Sequence, residues 1–132
     1  MKQQRFNPPG LTKIAAANHF SSAVRVGDFV WVSGCVGLGP DGKPAAGMTG
    51  QARIAFENVS ASLSSAGATL ADVVELGTYH TDLQRDMRAF FAVKDEFFPK
   101  GFPAWTAVGV TQLALPGLLV EIRAVAVVGS GT

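Results

Sequence analysis

The stretch LLVEIRAVAV, residues 118–127, decides the fold of this chain. Its residues alternate between two faces, because successive side chains of a β-strand point to opposite sides of the sheet. One face is wholly apolar and suits packing beneath helices; it carries Leu118, Val120, Ile122, Ala124 and Ala126. On the opposite face Glu121 interrupts an otherwise mainly apolar strand. Such an acid lies either at a solvated surface or in a polar pocket, on the side away from the helices.

Other strands are indicated earlier in the chain. Residues 21–26 and 29–33 have strand character and are separated by Gly27-Asp28, a pair that favours a tight turn. Alternation divides the second of these strands into two faces. One face carries Val30, Val32 and Val36, and the other carries Phe29, Trp31, Ser33 and Cys35. Both faces carry bulky side chains, so we expect both to be covered.

Two segments show the three- and four-residue spacing of amphipathic helices. Residues 49–66 are the first, and Gly67 ends the pattern at the position where helices commonly stop. Residues 82–98 are the second, with a broad apolar stripe that we interpret as core packing without chemistry. Strands at residues 73–80 and 104–110 complete the order. We therefore predict one α+β domain over residues 1–132, a mostly antiparallel sheet with both helices on one face.

The composition favours self-association. Hydrophobic residues make up 48% of the 132 residues and charged residues only 16%, below the roughly 25% charged residues of typical globular chains. A small domain with so few charges covers its surface poorly with polar groups. We expect part of that apolar surface to be buried between subunits, the alternative being an unusually apolar monomer.

Charge and motifs exclude several classes of protein. The net charge is +1 without any run of one sign, which disfavours nucleic acid and anionic membranes as partners. No apolar run is long enough to span a bilayer, and residues 1–20 lack a signal-peptide core, so a cytoplasmic location is expected. The single cysteine fits a reducing compartment. His19 and His80 stand far apart without matching ligands, and no metal site is predicted.

The loop GLGPDGK, residues 37–43, fits two nucleotide-binding patterns by spacing alone. A phosphate loop needs Ser or Thr after the lysine, and a dinucleotide fingerprint needs a helix at the third glycine. Pro44 follows the lysine instead, and Pro40-Asp41-Gly42 is a strong turn sequence. The loop is interpreted as a turn, and no cofactor is expected.

The chain resembles the RidA/YjgF family over about residues 20–127, in segments that follow the order of elements derived above. These segments are VGDFVWVSG at 26–34, QAR with ENV at 51–59, AGA through DVV to TDL at 66–83, and FPA through LP to VEI at 102–122. The resemblance implies a chorismate-mutase-like fold, a homotrimer, and small-molecule clefts at the subunit interfaces.

The resemblance also implies roles for single residues. In deaminating members an arginine two residues after Phe-Pro binds the substrate carboxylate; Trp105 stands there, and Ala107 replaces a cysteine two residues later. A pocket tyrosine is matched by Phe20. An indole cannot neutralise a carboxylate as a guanidinium does. What remains is Glu121, which would orient or activate the attacking water, with Ser33 and Gly34 on the cleft wall.

Trp31 and Cys35 are further candidates for the wall of an apolar, aromatic cleft. A reactive thiol needs a base or positive charge beside it, and the sequence places neither histidine there, so Cys35 is interpreted as a small buried hydrophobic residue. The leading hypothesis is a hydrolase or deaminase of a neutral or aromatic enamine, imine or related C=N compound, in which Glu121 moves protons. The structural alternative for Glu121 is an ion pair with Arg123 or with a base of another subunit. The functional alternative is a non-catalytic trimer that binds a metabolite or a partner protein in the same clefts. Ribonuclease activity, ascribed to some relatives, is disfavoured because the chain lacks a basic patch.

Overall fold

The computed structural model describes residues 1–131 as six strands and three α-helices. The strands are β1 (Gln4–Phe6), β2 (Ala23–Val26), β3 (Phe29–Cys35), β4 (Val73–His80), β5 (Ala104–Gly109) and β6 (Val120–Val127). The helices are α1 (Thr12–Ala17), α2 (Gly47–Ser65) and α3 (Leu83–Phe97). Short 3-10 turns occupy Pro9–Leu11 and Leu70–Asp72. The short elements β1 and α1 were not predicted, because residues 4–17 carry no clear hydrophobic period.

The strands form one sheet in the order β1-β2-β3-β6-β4-β5, in which only the β4–β5 pair is parallel. Helices α2 and α3 pack on the same face, and their aromatic rings meet where Phe56 stacks on Phe90 and Phe97. The predicted α+β architecture with a mostly antiparallel sheet is confirmed.

Strand β6 lies in the middle of this sheet and shows the predicted alternation. The face towards the helices is buried throughout, and Val120, Ile122 and Ala126 are 0% exposed. The opposite face of the sheet, called the open face below, is not covered within one chain, since Phe29 is 51% and Trp31 41% exposed. The expectation that both faces are covered therefore fails for the single chain.

A bulge interrupts β3 beside β6. Val32 pairs with Ala124 and Cys35 with Ile122, so Ser33 and Gly34 together oppose Arg123. The extra residue reverses the alternation beyond it. The prediction that Cys35 shares the face of Ser33 is wrong: Cys35 is buried in the core with Val30 and Val32.

Gln51 ties helix α2 to both loops that flank the sheet. This side chain is 1% exposed. Its Nε2 donates to the carbonyls of Ala45 and Gly117, each at 2.9 Å, and its Oε1 accepts from the Leu119 amide at 2.7 Å. These bonds satisfy backbone groups just before β6 and so fix the start of that strand.

The Gln51→Ala variant is expected to lose stability, because it removes a buried side chain and its three hydrogen bonds to part-buried backbone groups. The expected loss is roughly 1–3 kcal/mol of unfolding free energy, measured by urea denaturation. The matched control is Gln84→Ala on the exposed side of α3, where the expected change is within about 0.5 kcal/mol. Equal stability of both variants would contradict the role given to Gln51.

Candidate functional site

Glu121 projects from β6 onto the open face, opposite Tyr79 of β4. The side chain is half-buried, and burial raises the pKa of its carboxyl group. Within residues 1–131 no side chain or amide is hydrogen-bonded or ion-paired to it. Arg123 pairs instead with Glu75, at 3.4 Å between Nη1 and Oε1. Within one chain Glu121 therefore does not pair with Arg123, and its pairing with a base of another subunit stays a prediction.

Gly34, in the bulge of β3, makes room for this carboxylate. A Cβ atom at Gly34 would lie 2.6 Å from both Cδ and Oε2 of Glu121. Real Cβ atoms do not approach other atoms so closely, and only glycine leaves the carboxylate where it lies. The bulge thus brings together two of the predicted site residues.

A cavity of about 360 Å³ opens beside Gly34, between α1, α2 and the end of β3. Its wall includes four predicted site residues: Phe20, Ser33, Gly34 and Cys35. The Ser33 hydroxyl donates to the Ser21 carbonyl at 2.6 Å, so towards a ligand it is left as an acceptor. The volume falls within the roughly 300–1,000 Å³ of small-molecule sites.

Cys35 is buried on this wall. Burial raises the pKa of its thiol to about 12. The thiolate is the nucleophilic form of cysteine, and so raised a pKa leaves almost none of it at neutral pH. Cys35 therefore contributes shape to the wall and supplies no nucleophile.

Trp105 and Ala107 lie on the opposite side of the sheet from Glu121. On β5 they are in register with Leu76 and Thr78, which are buried beneath the helices. The indole N–H of Trp105 donates to Thr78 Oγ1 at 2.9 Å. Within one chain these two positions therefore do not face Glu121.

Lys94 is a residue that the sequence reasoning missed. Its ammonium group lies 4.3 Å from the centre of the Trp105 ring, and the rings of Phe91 and Phe102 are at 5.8 Å and 6.0 Å. The faces of aromatic rings stabilise an ammonium group, whereas burial lowers the pKa of Lys94. The signal was present: Lys94 falls three residues after Phe91, within the apolar stripe of α3.

The remaining candidates lie apart from Glu121. Trp31 stacks on Phe29 with ring centres 5.9 Å apart and pairs with Val125, about 13 Å along β6 from Glu121 at ~3.3 Å per residue. His80 is buried, with Nε2 2.8 Å from Thr78 Oγ1, and burial lowers its pKa. His19 precedes Phe20 with a φ of 59°.

Residues 1–131 hold neither a cluster of metal ligands nor a membrane-spanning helix. No three residues among the histidines, cysteines and acids are grouped as metal ligands. In the same part of the chain no helix combines the length and the hydropathy needed to cross a membrane.

Fold and site together define a class: a small α+β protein with an uncharged cavity beside a half-buried carboxylate that has no partner in its own chain. Residues 10–128 match the model of a family described as Endoribonuclease L-PSP. The RutC family protein YjgH of Escherichia coli K12 is 40% identical over 120 residues, covering 90% of each chain. A crystal structure of a Mycobacterium tuberculosis member of the YjgF/YER057c/UK114 family is 37% identical with a TM-score of 0.84, covering 96% of this chain and 100% of that one.

A further relative carries an enzyme name. The 2-iminobutanoate/2-iminopropanoate deaminase of Dermatophagoides farinae is 32% identical, covering 83% of this chain and 85% of that protein. From these matches, the chain belongs to the RidA/YjgF family.

The Gly34→Ala variant is expected to fold but to displace the Glu121 carboxylate towards solvent, because the side-chain end of Glu121 is what the new methyl group meets. The pKa of Glu121 should then fall towards the ordinary value of a glutamate. Carboxyl ¹³C titration by NMR measures this shift, with Glu121→Gln identifying the signal. The control is Gly50→Ala in α2, where the nearest atom would lie 3.8 Å away. An unchanged Glu121 pKa in Gly34→Ala would contradict the packing described here.

Proposed function

We propose that this protein is a hydrolase that deaminates a neutral or aromatic enamine, imine or related C=N compound, without metal or organic cofactor. The observation that carries the proposal is the Glu121 carboxylate. It is half-buried and unpaired among residues 1–131, burial raises its pKa, and it lies against Gly34, which lines an uncharged cavity. Perturbed carboxylates beside pockets are typical of acid–base sites.

The proposed reaction needs one group that moves protons. An enamine first takes a proton at carbon and loses one from nitrogen, which gives the imine. Ionised Glu121 then accepts a proton from water as the oxygen attacks the C=N carbon, and the π electrons move to nitrogen. Protonated Glu121 gives that proton to the nitrogen, which forms the carbinolamine. Glu121 then carries the hydroxyl proton of the carbinolamine to the same nitrogen as the C–N bond breaks, so that ammonia and a carbonyl compound leave and Glu121 is ionised again. A raised pKa suits a residue that alternates between base and acid.

The proposed substrate is not a short 2-imino acid. The Dermatophagoides relative is named for such substrates. Here the position that the family resemblance assigns to carboxylate binding is Trp105, whose single N–H is already donated to Thr78. A substrate carboxylate would meet no guanidinium there.

We place the complete site between subunits of a homotrimer. Glu121 and Trp105 lie on opposite faces of one sheet, so one chain cannot present both to the same ligand. The open face, with Phe29 and Trp31 exposed, supplies apolar surface for such an assembly. In this arrangement Trp105 of one subunit faces the Glu121 side of another.

The rival function is a trimer that binds a metabolite without turning it over. It is favoured by one observation: the wall of the cavity carries no base and no reactive thiol of its own. Ribonuclease activity, although part of the family's description, is not proposed, because a net charge of +1 without clusters offers no phosphate footprint.

The first test measures ammonia release from a panel of neutral, aromatic and acidic imines and enamines. Wild type is expected to act on neutral or aromatic members only. Glu121→Gln should lower kcat by at least about 100-fold, because its amide cannot accept the proton.

Activity should fall as the pH is lowered through the pKa of Glu121, because only the ionised carboxylate starts the reaction. Since burial raises that pKa, the fall should occur at a higher pH than for an ordinary glutamate. Trp105→Arg should gain activity on short imino acids.

The control for this test is Glu57→Gln, which removes an exposed carboxylate from α2 outside the cavity and should leave kcat within about twofold. Activity of wild type on 2-iminopropanoate comparable to that of arginine-containing relatives would refute the proposed specificity. Ligand binding by Glu121→Gln with no turnover by wild type would favour the rival function.

A second test asks whether the site is shared. Glu121→Gln and Trp105→Ala subunits, each inactive alone, are co-expressed in equal amounts. With random assembly about three quarters of the trimers are mixed, and each mixed trimer has about one of its three shared sites intact, so about a quarter of the total activity should return. No recovery in trimers shown by native mass spectrometry to be mixed would overturn the shared site.

A further inference from the structure

The inner wall of the cavity beside Gly34 contains two buried hydroxyl groups that the proposed reaction does not use. Ser22 is 3% exposed and Ser62 is 0% exposed. Within residues 1–131 neither Oγ atom has an oxygen or nitrogen hydrogen-bond partner, and both residues lie on the cavity wall. Buried hydroxyls in proteins are nearly always bonded, so two unbonded ones on a single cavity require an explanation.

Neither hydroxyl forms a hydrogen bond with a nearby backbone group, as serine hydroxyls often do. Ser22 engages its backbone, whose N–H donates to Asn7 Oδ1 at 2.9 Å. Ser65 on the same helix as Ser62 donates to a helical carbonyl at 2.7 Å, as serines in helices commonly do. Ser62 makes no such bond, and its hydroxyl meets only the Cys35 sulfur, a weak hydrogen-bond partner whose own S–H is donated to the Ser33 carbonyl at 3.3 Å.

The rest of the wall defines the chemistry of an occupant. Asn58 donates from Nδ2 to the Val36 carbonyl at 3.1 Å, which leaves its carboxamide oxygen uncommitted. All the other side chains that line the cavity are also uncharged. A carboxylate or an ammonium group entering here would lose its hydration without meeting an opposite charge.

The mouth of the cavity is apolar. Ile14 and Phe20 line it and are 50% and 42% exposed. An apolar body can therefore enter between them and place a polar end against the inner wall.

We propose that Ser22, Ser62 and Asn58 form a subsite for an uncharged polar group of the ligand, such as a carboxamide or an alcohol, which both donates and accepts hydrogen bonds. The inference rests on the proposed function in taking this cavity as the inner part of the substrate site. The proposed subsite implies a substrate that places a neutral polar end inside the cavity and its C=N carbon near Gly34 and Glu121.

The test uses three probes of nearly the same shape: benzamide, benzoate and benzamidinium. Binding to the wild-type trimer is measured by calorimetry and located by NMR shifts of Ser22, Ser62 and Asn58. Benzamide is expected to bind at these residues, and the two ions at least about tenfold more weakly, because neither finds a counter-charge. No benzamide binding, binding elsewhere, or equal binding of the ions would overturn the subsite.

Two variants separate a ligand contact from a structural role. Ser62→Ala and Ser22→Ala should each weaken benzamide binding by roughly 3–10-fold, the effect of one lost neutral hydrogen bond. Because each removes an unbonded buried hydroxyl, neither should lower the stability of the unliganded protein. The control is Ser64→Ala, exposed on α2 and outside the cavity, which should change neither quantity. Unchanged benzamide affinity in both cavity variants would overturn the proposal.

These outcomes are independent of turnover. Glu121→Gln should bind benzamide as wild type does, since Glu121 lies outside the subsite. Ammonia release by a protein that fails the benzamide test would leave the proposed reaction standing and remove the subsite. Benzamide binding by a protein without any deaminase activity would leave the subsite standing and remove the proposed reaction.

Discussion

The bulge at Ser33 and Gly34 is the constraint on which the candidate site depends. A single extra residue in β3 shifts its register against β6, and several consequences follow from that shift. Gly34 comes to lie against the Glu121 carboxylate, with no room for a side chain. The Ser33 hydroxyl turns to the Ser21 carbonyl, and Cys35 turns into the core. Without the bulge, regular alternation would turn Cys35 towards the face of Glu121.

The sequence predicted the architecture because its main signals are periodic. The alternation in β6 and the three- and four-residue spacing in α2 and α3 determine which faces are buried, and these survive in the structure. A bulge cannot be predicted from the alternation of apolar residues, because it consists of one unpaired residue whose presence depends on the neighbouring strand. The assignment of Cys35 failed for that reason. Hydrogen-bond partners far apart in sequence, such as Gln51 and Leu119, are invisible to periodicity for the same reason.

The candidate site was predicted as a set of residues but not as a geometry. Phe20, Ser33, Gly34 and Cys35 line one cavity, and Glu121 lies against Gly34 without itself lining that cavity. Trp105 and Ala107 do not, because β5 runs parallel to β4 and their register turns them towards α3. Trp105 is also held from several sides: Thr78 accepts its N–H, and Lys94 lies over its ring. An indole so fixed can offer a ligand only the remaining exposed part of its ring, which favours aromatic or apolar contact over recognition of a charge.

The energetics of the cavity point in the same direction. A half-buried carboxylate without a partner and two unbonded buried hydroxyls all reduce the stability of the unliganded chain. Apolar side chains of similar size at these positions would avoid those costs, as elsewhere in the same core, where Val59 and Leu63 are fully buried. Local departures from optimal packing concentrate where a protein binds or reacts. Here the unbonded hydroxyls lie on one cavity whose described wall is uncharged, and the carboxylate lies against Gly34 of that wall. That arrangement supports the proposal of a neutral ligand, with Glu121 as the group proposed to transfer protons.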